Sequence, residues 1–306
     1  MARYVLKRFL MLILTLFLVL LFTFAIMHAI PGGPYSAGKR LPEAVRAAIE
    51  EKYSLNDPLH AQFLDYLGRA ARLDLGPSFK YEGMSVNSLI AQGFPVSATL
   101  GLLSMLLVVA LGVPLGVLAA VKQGKWQDAA TSFVTTFGVA IPSFVAATLL
   151  LYFFAYRLGW FPVFGVETLK GYALPTVALS GYSLAYVTRL TRSSLLDVLK
   201  ADYIRTARVK GLSEGRIVAR HGMRNALIPV VTVIGPLFAG LLMGSFVVEK
   251  IFALPGMGRF FVQSITNRDY TATMGFTIFY AAVLAVVVFA VDILYCVIDP
   301  RIKLEE

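Results

Sequence analysis

The chain has 306 residues, 58% of them hydrophobic and 15% charged, with a mean hydropathy of +0.72 and a net charge of +10. A soluble domain of this length cannot bury so much apolar surface, which leaves an integral membrane protein, where basic residues report orientation before they report nucleic acid. The single cysteine, Cys296, excludes an internal disulfide, and the widely spaced His28, His60 and His221 show no metal-ligand spacing.

In chain order, six segments have the length of a spanning helix, about 20 apolar residues. The first is Phe9–Ile30, closed by Pro31-Gly32-Gly33-Pro34. Its basic start (Arg3, Lys7, Arg8) also fits a signal peptide, but the run is too long for that and no small-x-small cleavage site follows, so a retained helix is expected. The others are roughly Phe94–Val121, Ala129–Tyr156, a shorter Gly171–Thr188 carrying Pro175, Ala226–Val248, and Thr271–Ile298. The fold class is all-α and polytopic. Three parts follow: residues 1–30, an extracytoplasmic helical cap at 31–93, and a core at 94–306 holding five spans and a cytoplasmic loop at 189–225.

The cap is expected to hold two short helices. Pro42 to Tyr53 has proline in its first turn, and Pro58 to Leu73 places Leu59, Phe63, Tyr66 and Leu67 on one face before Gly76-Pro77 breaks it. Orientation follows from Lys and Arg in the connections. The 189–225 loop carries nine basic against three acidic residues, a net of +6, whereas 31–93 carries seven of each. Both termini are therefore expected inside.

No G-x-x-x-x-G-K-[ST] occurs, so the chain carries no phosphate cradle of that kind. A membrane protease would need a base near Ser180, and no histidine lies nearby in the sequence; the serine reads as a packing or backbone-bonded residue. Asp292 is the clearest intramembrane charge and reads as a structural partner for a basic or tyrosine side chain. Glu249-Lys250 marks the outer end of the fifth span, as a contact to a neighbour or a gate. Gly112/Gly116 and Gly240/Gly244 allow close helix approach, and Pro114, Pro142 and Pro175 interrupt spans. The uncharged fifth span, with Gly235, Gly240, Gly244 and Ser245, is expected to line a path.

The 189–225 loop is the most specific signal. Leu195 to Lys210 reads as a helix ending at Gly211, a natural C′ position. Ser213 is placed to cap a second helix with Glu214 in its first turn, and Arg216, Arg220 and Arg224 fall on one stripe. Ile204, Ala207, Leu212, Ile217 and Val218 offer apolar surface to press into a groove. A basic face on anionic headgroups would explain the arginines but not the glycine-centred break.

Here the residues resemble a known family. Arg205-Thr206-Ala207-x-x-x-Gly211 sits where permeases of bacterial ATP-binding-cassette importers carry a Glu-Ala-Ala-x-x-x-Gly loop. The Arg and Thr replacements and the late Pro229 look like the peptide-importer branch. Leu55-Asn56-Asp57-Pro58, Asp74-Leu75-Gly76-Pro77-Ser78-Phe79-Lys80, Phe94-Pro95-Val96-Ser97, Ile141-Pro142-Ser143-Phe144, Leu254-Pro255-Gly256-Met257-Gly258, Asn267-Arg268-Asp269-Tyr270 and Ile298-Asp299-Pro300-Arg301 resemble the B-type membrane subunit of the oligopeptide importer.

The resemblance implies a type I importer permease fold in the bacterial inner membrane. It implies a second homologous permease subunit, two cytoplasmic ATP-binding subunits holding ATP and Mg, an extracytoplasmic peptide-binding protein, and a peptide substrate. The chain itself would bind no cofactor, metal or nucleic acid and would not be an enzyme. Arg205, Thr206, Ala207, Arg208, Lys210, Gly211, Leu212, Glu214, Arg216 and Arg220 would form the element that couples to an ATPase groove. Related dipeptide, cell-wall-peptide and nickel importers, and a proton-coupled transporter, are the alternatives.

Overall fold

The computed structural model describes residues 2–29, 56–81 and 83–298, with side chains between residues 6 and 291 of those ranges. The helix expected at Pro42–Tyr53 lies outside the described residues. All described elements of regular structure are helical: α1 (Ala2–Ala29), α2 (Leu59–Ala71), α3 (Val86–Leu107), α4 (Val113–Val121), α5 (Trp126–Ala140), α6 (Ser143–Leu150), α7 (Leu169–Leu199), α8 (Asp202–Val209), α9 (Glu214–Arg216), α10 (Met223–Leu242), α11 (Phe246–Ile251), α12 (Met257–Thr266) and α13 (Tyr270–Ile298). π-helical segments at Val108–Gly112, Leu151–Arg157 and Ile217–Gly222 join α3 to α4, extend α6, and join α9 to α10. The chain forms two compact units, Met1–Val96 with Pro255–Val286, and Ser97–Leu254 with Val287–Glu306.

In the first unit, α2 begins directly after Pro58, whose fixed φ suits a helix entrance. Of the expected stripe, Phe63, Tyr66 and Leu67 pack with Ala70 against Leu20, Phe24 and Met274 from α1 and α13, while Leu59 stays exposed. Two of the sequence motifs meet at one carboxylate. Asp269, 1% exposed, accepts hydrogen bonds from the Ser78 hydroxyl, the Lys80 backbone N–H (3.2 Å) and the Ala272 N–H (3.0 Å). It caps α13, where the helix dipole favours a negative charge, and ties down the 74–80 segment.

The second unit is built around α7, which packs against α4, α5, α6, α10 and α11. The spacing is set by glycines: a Cβ at Gly116 would lie 2.6 Å from the Thr188 carbonyl oxygen, and one at Gly138 would lie 2.7 Å from that of Gly181. Gly112 faces Val187 in the same way, so the expected Gly112/Gly116 approach is the seam between α4 and α7. Asp128, 6% exposed, receives Arg192 Nε (2.7 Å) and Nη2 (2.8 Å) in a two-pronged pair, and also accepts from the Gly124 N–H (3.0 Å). This pins α5 to α7. The Ser180 hydroxyl donates to the Val177 carbonyl at 3.1 Å, the backbone-bonded state expected of it.

Three boundaries differ from the sequence reading. The third span is not straight: α5 and α6 meet at 104° across Ile141-Pro142. Pro142 has no N–H to give, and Ile141 before it is extended (φ −88, ψ 118), as the residue preceding a proline prefers. The fourth span runs to Leu199 instead of Thr188, so the first eleven residues assigned to the loop continue a 31-residue helix. The fifth span ends at Leu242, and Gly244 separates it from the short α11. Among the described residues, four stretches are long and apolar enough to cross a bilayer, or five with the bent pair. α7 matches them in length but is more polar.

Candidate functional site

The loop begins where α7 stops. The helix expected from Leu195 to Lys210 is divided at Lys200-Ala201, where Ala201 turns extended (ψ 150) before α8. Asp202 stands in the first turn of α8 and Arg208 in its last, each matching the helix dipole. The helix then closes as a Schellman motif. Gly211 (φ +77) donates its N–H to the Arg208 carbonyl at 2.9 Å, and Leu212 donates to the Ala207 carbonyl at 3.3 Å. The apolar contact that accompanies this motif is present: Leu212 packs on Ile204, Ala207 and Ile217. Gly211 is thus the C′ residue that the sequence indicated, and its left-handed backbone is why glycine stands there.

Across this turn Arg208 reaches Glu214 with Nε at 2.7 Å and Nη2 at 3.2 Å. The pairing lowers the Glu214 carboxyl and raises the Arg208 guanidinium from their usual ranges. Both side chains are largely exposed, so the clasp orients the joint more than it stabilises it. Ser213 occupies the N-cap position of α9 but its side chain makes no capping bond, a correction to the expected cap. The helix starting at Glu214 continues through the π-helical segment into α10 without interruption, so the second loop helix and the fifth span are one rod. From Glu214 to Leu242 the rod has 29 residues, about 44 Å at 1.5 Å per residue against a ~30 Å hydrocarbon core. Its first turns therefore stand outside the bilayer.

The apolar residues expected to enter a partner's groove do something else. Ile204 and Ile217 are fully buried, and with Ala207, Leu199 and Leu212 they form the loop's own small core. The outward surface is Arg205, Thr206, Arg208, Lys210, Gly211, Glu214, Arg216 and Arg220, joined by two residues that the sequence reading passed over. Val209 is 89% exposed, and Tyr203 accepts a hydrogen bond from Asn225 Nδ2 at 2.8 Å that ties α8 to the start of α10. Helical periodicity carried the signal for Val209: it lies away from the Ile204–Ala207 face.

The expected path residues fall in different environments. Gly235 packs on Val291, where a Cβ would meet the valine at 3.0–3.3 Å. Gly240 has open space beside it. Gly244 (φ +70) is filled by Glu249, whose Oε1 would lie 2.1 Å from an added Cβ. Gly240 and Gly244 are therefore not a paired approach surface as Gly112 and Gly116 are. Ser245 caps α11, accepting from the Val248 N–H at 3.4 Å. Glu249 is 0% exposed and accepts from the Ser97 hydroxyl at 2.7 Å, making it a wholly internal carboxylate. Asp292 lies in α13, but its side chain is outside the described residues.

A chain with several apolar helices and an exposed, preformed two-helix joint now has a counterpart among known families. Residues 112–304 match the family described as "Binding-protein-dependent transport system inner membrane component", and residues 1–101 match the N-terminal region of such membrane components. The chain belongs to this family. It is accordingly a multi-pass protein of the inner membrane. As relatives, this inner-membrane component has the dipeptide transport system permease protein DppB of Bacillus subtilis, 45% identical over 306 residues covering 100% of this chain and 99% of that one. It is also 45% identical to the oligopeptide transport system permease protein OppB of Salmonella typhimurium, over 99% of this chain and 100% of that one. In fold it is similar to the MetNI methionine ABC transporter in inward-facing conformations, with TM-score 0.55 and 20% identity over 69% of this chain and 96% of that chain. A second likeness is to an amino acid ABC transporter solved with histidines, with TM-score 0.52 and 20% identity over 71% and 95% of the two chains.

Proposed function

We propose that the chain is a pore-forming permease subunit of an ATP-driven peptide importer. It would pair with a second, homologous permease, rest on two cytoplasmic subunits that bind ATP and Mg, and receive peptide from an extracytoplasmic binding protein. The observation that carries this reading is the loop joint: a self-packed, Schellman-capped pair of helices with a basic outer face, continuous with a membrane-spanning rod. The names of the full-length relatives supply the peptide.

In this reading the outer face of the joint, Arg205, Thr206, Arg208, Lys210, Gly211, Glu214, Arg216 and Arg220, seats in a groove of an ATPase subunit, held in shape by the core that Ala207 and Leu212 help to form. Closure of the ATPases on ATP displaces the joint, and the rod from Glu214 carries that displacement to α10, opening the path outward; hydrolysis resets it. The chain performs no bond chemistry and binds no cofactor of its own. The path runs beside α10, with Gly240 as its open position.

The test is uptake of a radiolabelled peptide by intact cells carrying wild-type chain, Gly211→Pro, or the double charge reversal Arg205→Glu with Arg208→Glu. Both variants are expected to lose most uptake while the binding protein still captures peptide. Normal uptake and normal peptide-stimulated ATP hydrolysis in both would sink the coupling role. Uptake driven by a pH gradient without nucleotide would favour the proton-coupled alternative.

A further inference from the structure

α7 is the helix around which the second unit is built. Beyond its first turn and Val177, its exposed residues fall on one strip. Tyr182, Tyr186, Arg189, Ser193, Asp197 and Lys200 are all exposed, and at 100° per residue they fall within about 80° of one another. The same face of the outer half, at Gly171, Pro175 and Ala178, is buried inside the chain. So the strip opens at mid-helix and runs to the end that the charge distribution places in the cytoplasm.

The chemistry of the strip distinguishes it from surfaces that meet lipid. The exposed face of α1 is Leu6, Phe9, Leu10, Ile13 and Leu14, and that of α5 carries Phe133, Val134 and Phe137. Those residues suit hydrocarbon; an arginine between tyrosines and serine does not. Nor does the strip suit a tightly packed neighbouring helix. Close packing in this chain is made by Gly112, Gly116 and Gly138, whereas Tyr182 and Tyr186 stand 57% and 40% exposed with rings stacked 6.3 Å apart and 16° from parallel. Two bulky phenols and a cation, beginning midway along a membrane-spanning helix, are placed as a wet lining.

Their order fits one ligand. Stacked phenols present ring faces and hydroxyls that accept a peptide plane or a side chain with little regard to sequence. One turn towards the cytoplasm, the Arg189 guanidinium is braced from one side by hydroxyls of α5, with Nη2 donating to Thr136 Oγ1 at 3.1 Å and Nε lying 3.4 Å from Thr135 Oγ1. Its remaining N–H groups suit a carboxylate. We propose that the Tyr182–Tyr186–Arg189 strip lines the cytoplasmic half of the translocation path and contacts the transported peptide, with Arg189 taking its terminal carboxylate. This rests on the peptide-import reading above. It adds a recognition element on α7, in a different place from the glycines of α10.

Because Cys296 is the only cysteine, a Cys296→Ser background makes the test direct. In inverted membrane vesicles of the whole transporter, a charged maleimide is expected to label Tyr186→Cys and Ser193→Cys and to spare Phe137→Cys. Trialanine should slow labelling of Tyr186→Cys. In intact cells, Tyr182→Ala with Tyr186→Ala should reduce trialanine uptake about tenfold, and Tyr→Phe at both positions should restore it. Arg189→Gln should erase the preference for trialanine over its C-terminal amide. Failure to label positions 186 and 193 overturns the wet lining and means that lipid or a partner chain covers the strip. Labelling with an unchanged acid-to-amide preference in Arg189→Gln overturns the carboxylate contact. If wild-type cells take up no trialanine, the import reading fails and takes the ligand with it, while the labelling still decides whether the face is wet.

Discussion

Two joints in this chain turn on a glycine with left-handed backbone, Gly211 at φ +77 and Gly244 at φ +70, and each is followed by a serine at a helix N-cap position and then by a clasped glutamate. At Gly244 the clasp is internal: Glu249 is sealed from solvent, fills the space beside the glycine and holds Ser97. At Gly211 the clasp is external: Arg208 holds Glu214 in water and nothing lies within 4 Å of an added Cβ. An internal carboxylate is costly to leave unpaired, so the Gly244 joint is fixed. A surface ion pair is worth little, so the Gly211 joint can be re-aimed by whatever binds it.

The comparison breaks most sharply with alanine. Gly244→Ala adds left-handed strain of about 1–2 kcal/mol and displaces the Glu249 carboxylate, whose hydrogen bond contributes roughly 1.5–3 kcal/mol. A loss of roughly 2.5–5 kcal/mol is expected, read as the largest fall in unfolding temperature in detergent. Gly211→Ala should cost only the strain, about 1–2 kcal/mol, and equal losses at the two positions would end the distinction. Next, Ser97→Ala should cost about 1.5–3 kcal/mol in the same assay, while Glu214→Ala leaves the melting temperature within error and instead lowers coupled uptake. The smallest effect is on pH. Because Arg208 lowers the Glu214 carboxyl, the clasp is complete above the ordinary carboxylate range and is lost as pH falls through the lowered value. Spin labels at positions 205 and 216 should keep one distance distribution from neutral pH down into the ordinary carboxylate range and broaden only below that range; identical distributions at both extremes would mean that the clasp does not hold the joint.

The sequence carried the Gly211 joint well because its rules are local. A C′ glycine and a basic last turn are read within ten residues, and the two Schellman bonds follow from the glycine. The Gly244 joint was hidden because it depends on Ser97, 152 positions from Glu249. The same holds for Asp128 with Arg192, and for Ser78 with Asp269, whose two motifs were visible while their meeting was not. The apolar residues of the loop were assigned to a partner because periodicity shows that a face is buried, not what buries it; Ile204 and Ile217 cover each other. Proline placed the break at Ile141-Pro142 without giving its 104° angle.

The π-helical segment at Ile217–Gly222 has a consequence for how such chains diverge. A π-turn amounts to one residue inserted into an α-helix. Deleting a single residue there would restore regular α-helix and leave everything before it in nearly the same rotational setting relative to α10, whereas a deletion in the regular turns of α10 would rotate it by about 100°. The Gly211 joint would keep its own core, its cap and its clasp, and would present the same side to the cytoplasm. The segment is therefore a place where the chain length changes by one residue without turning this surface away.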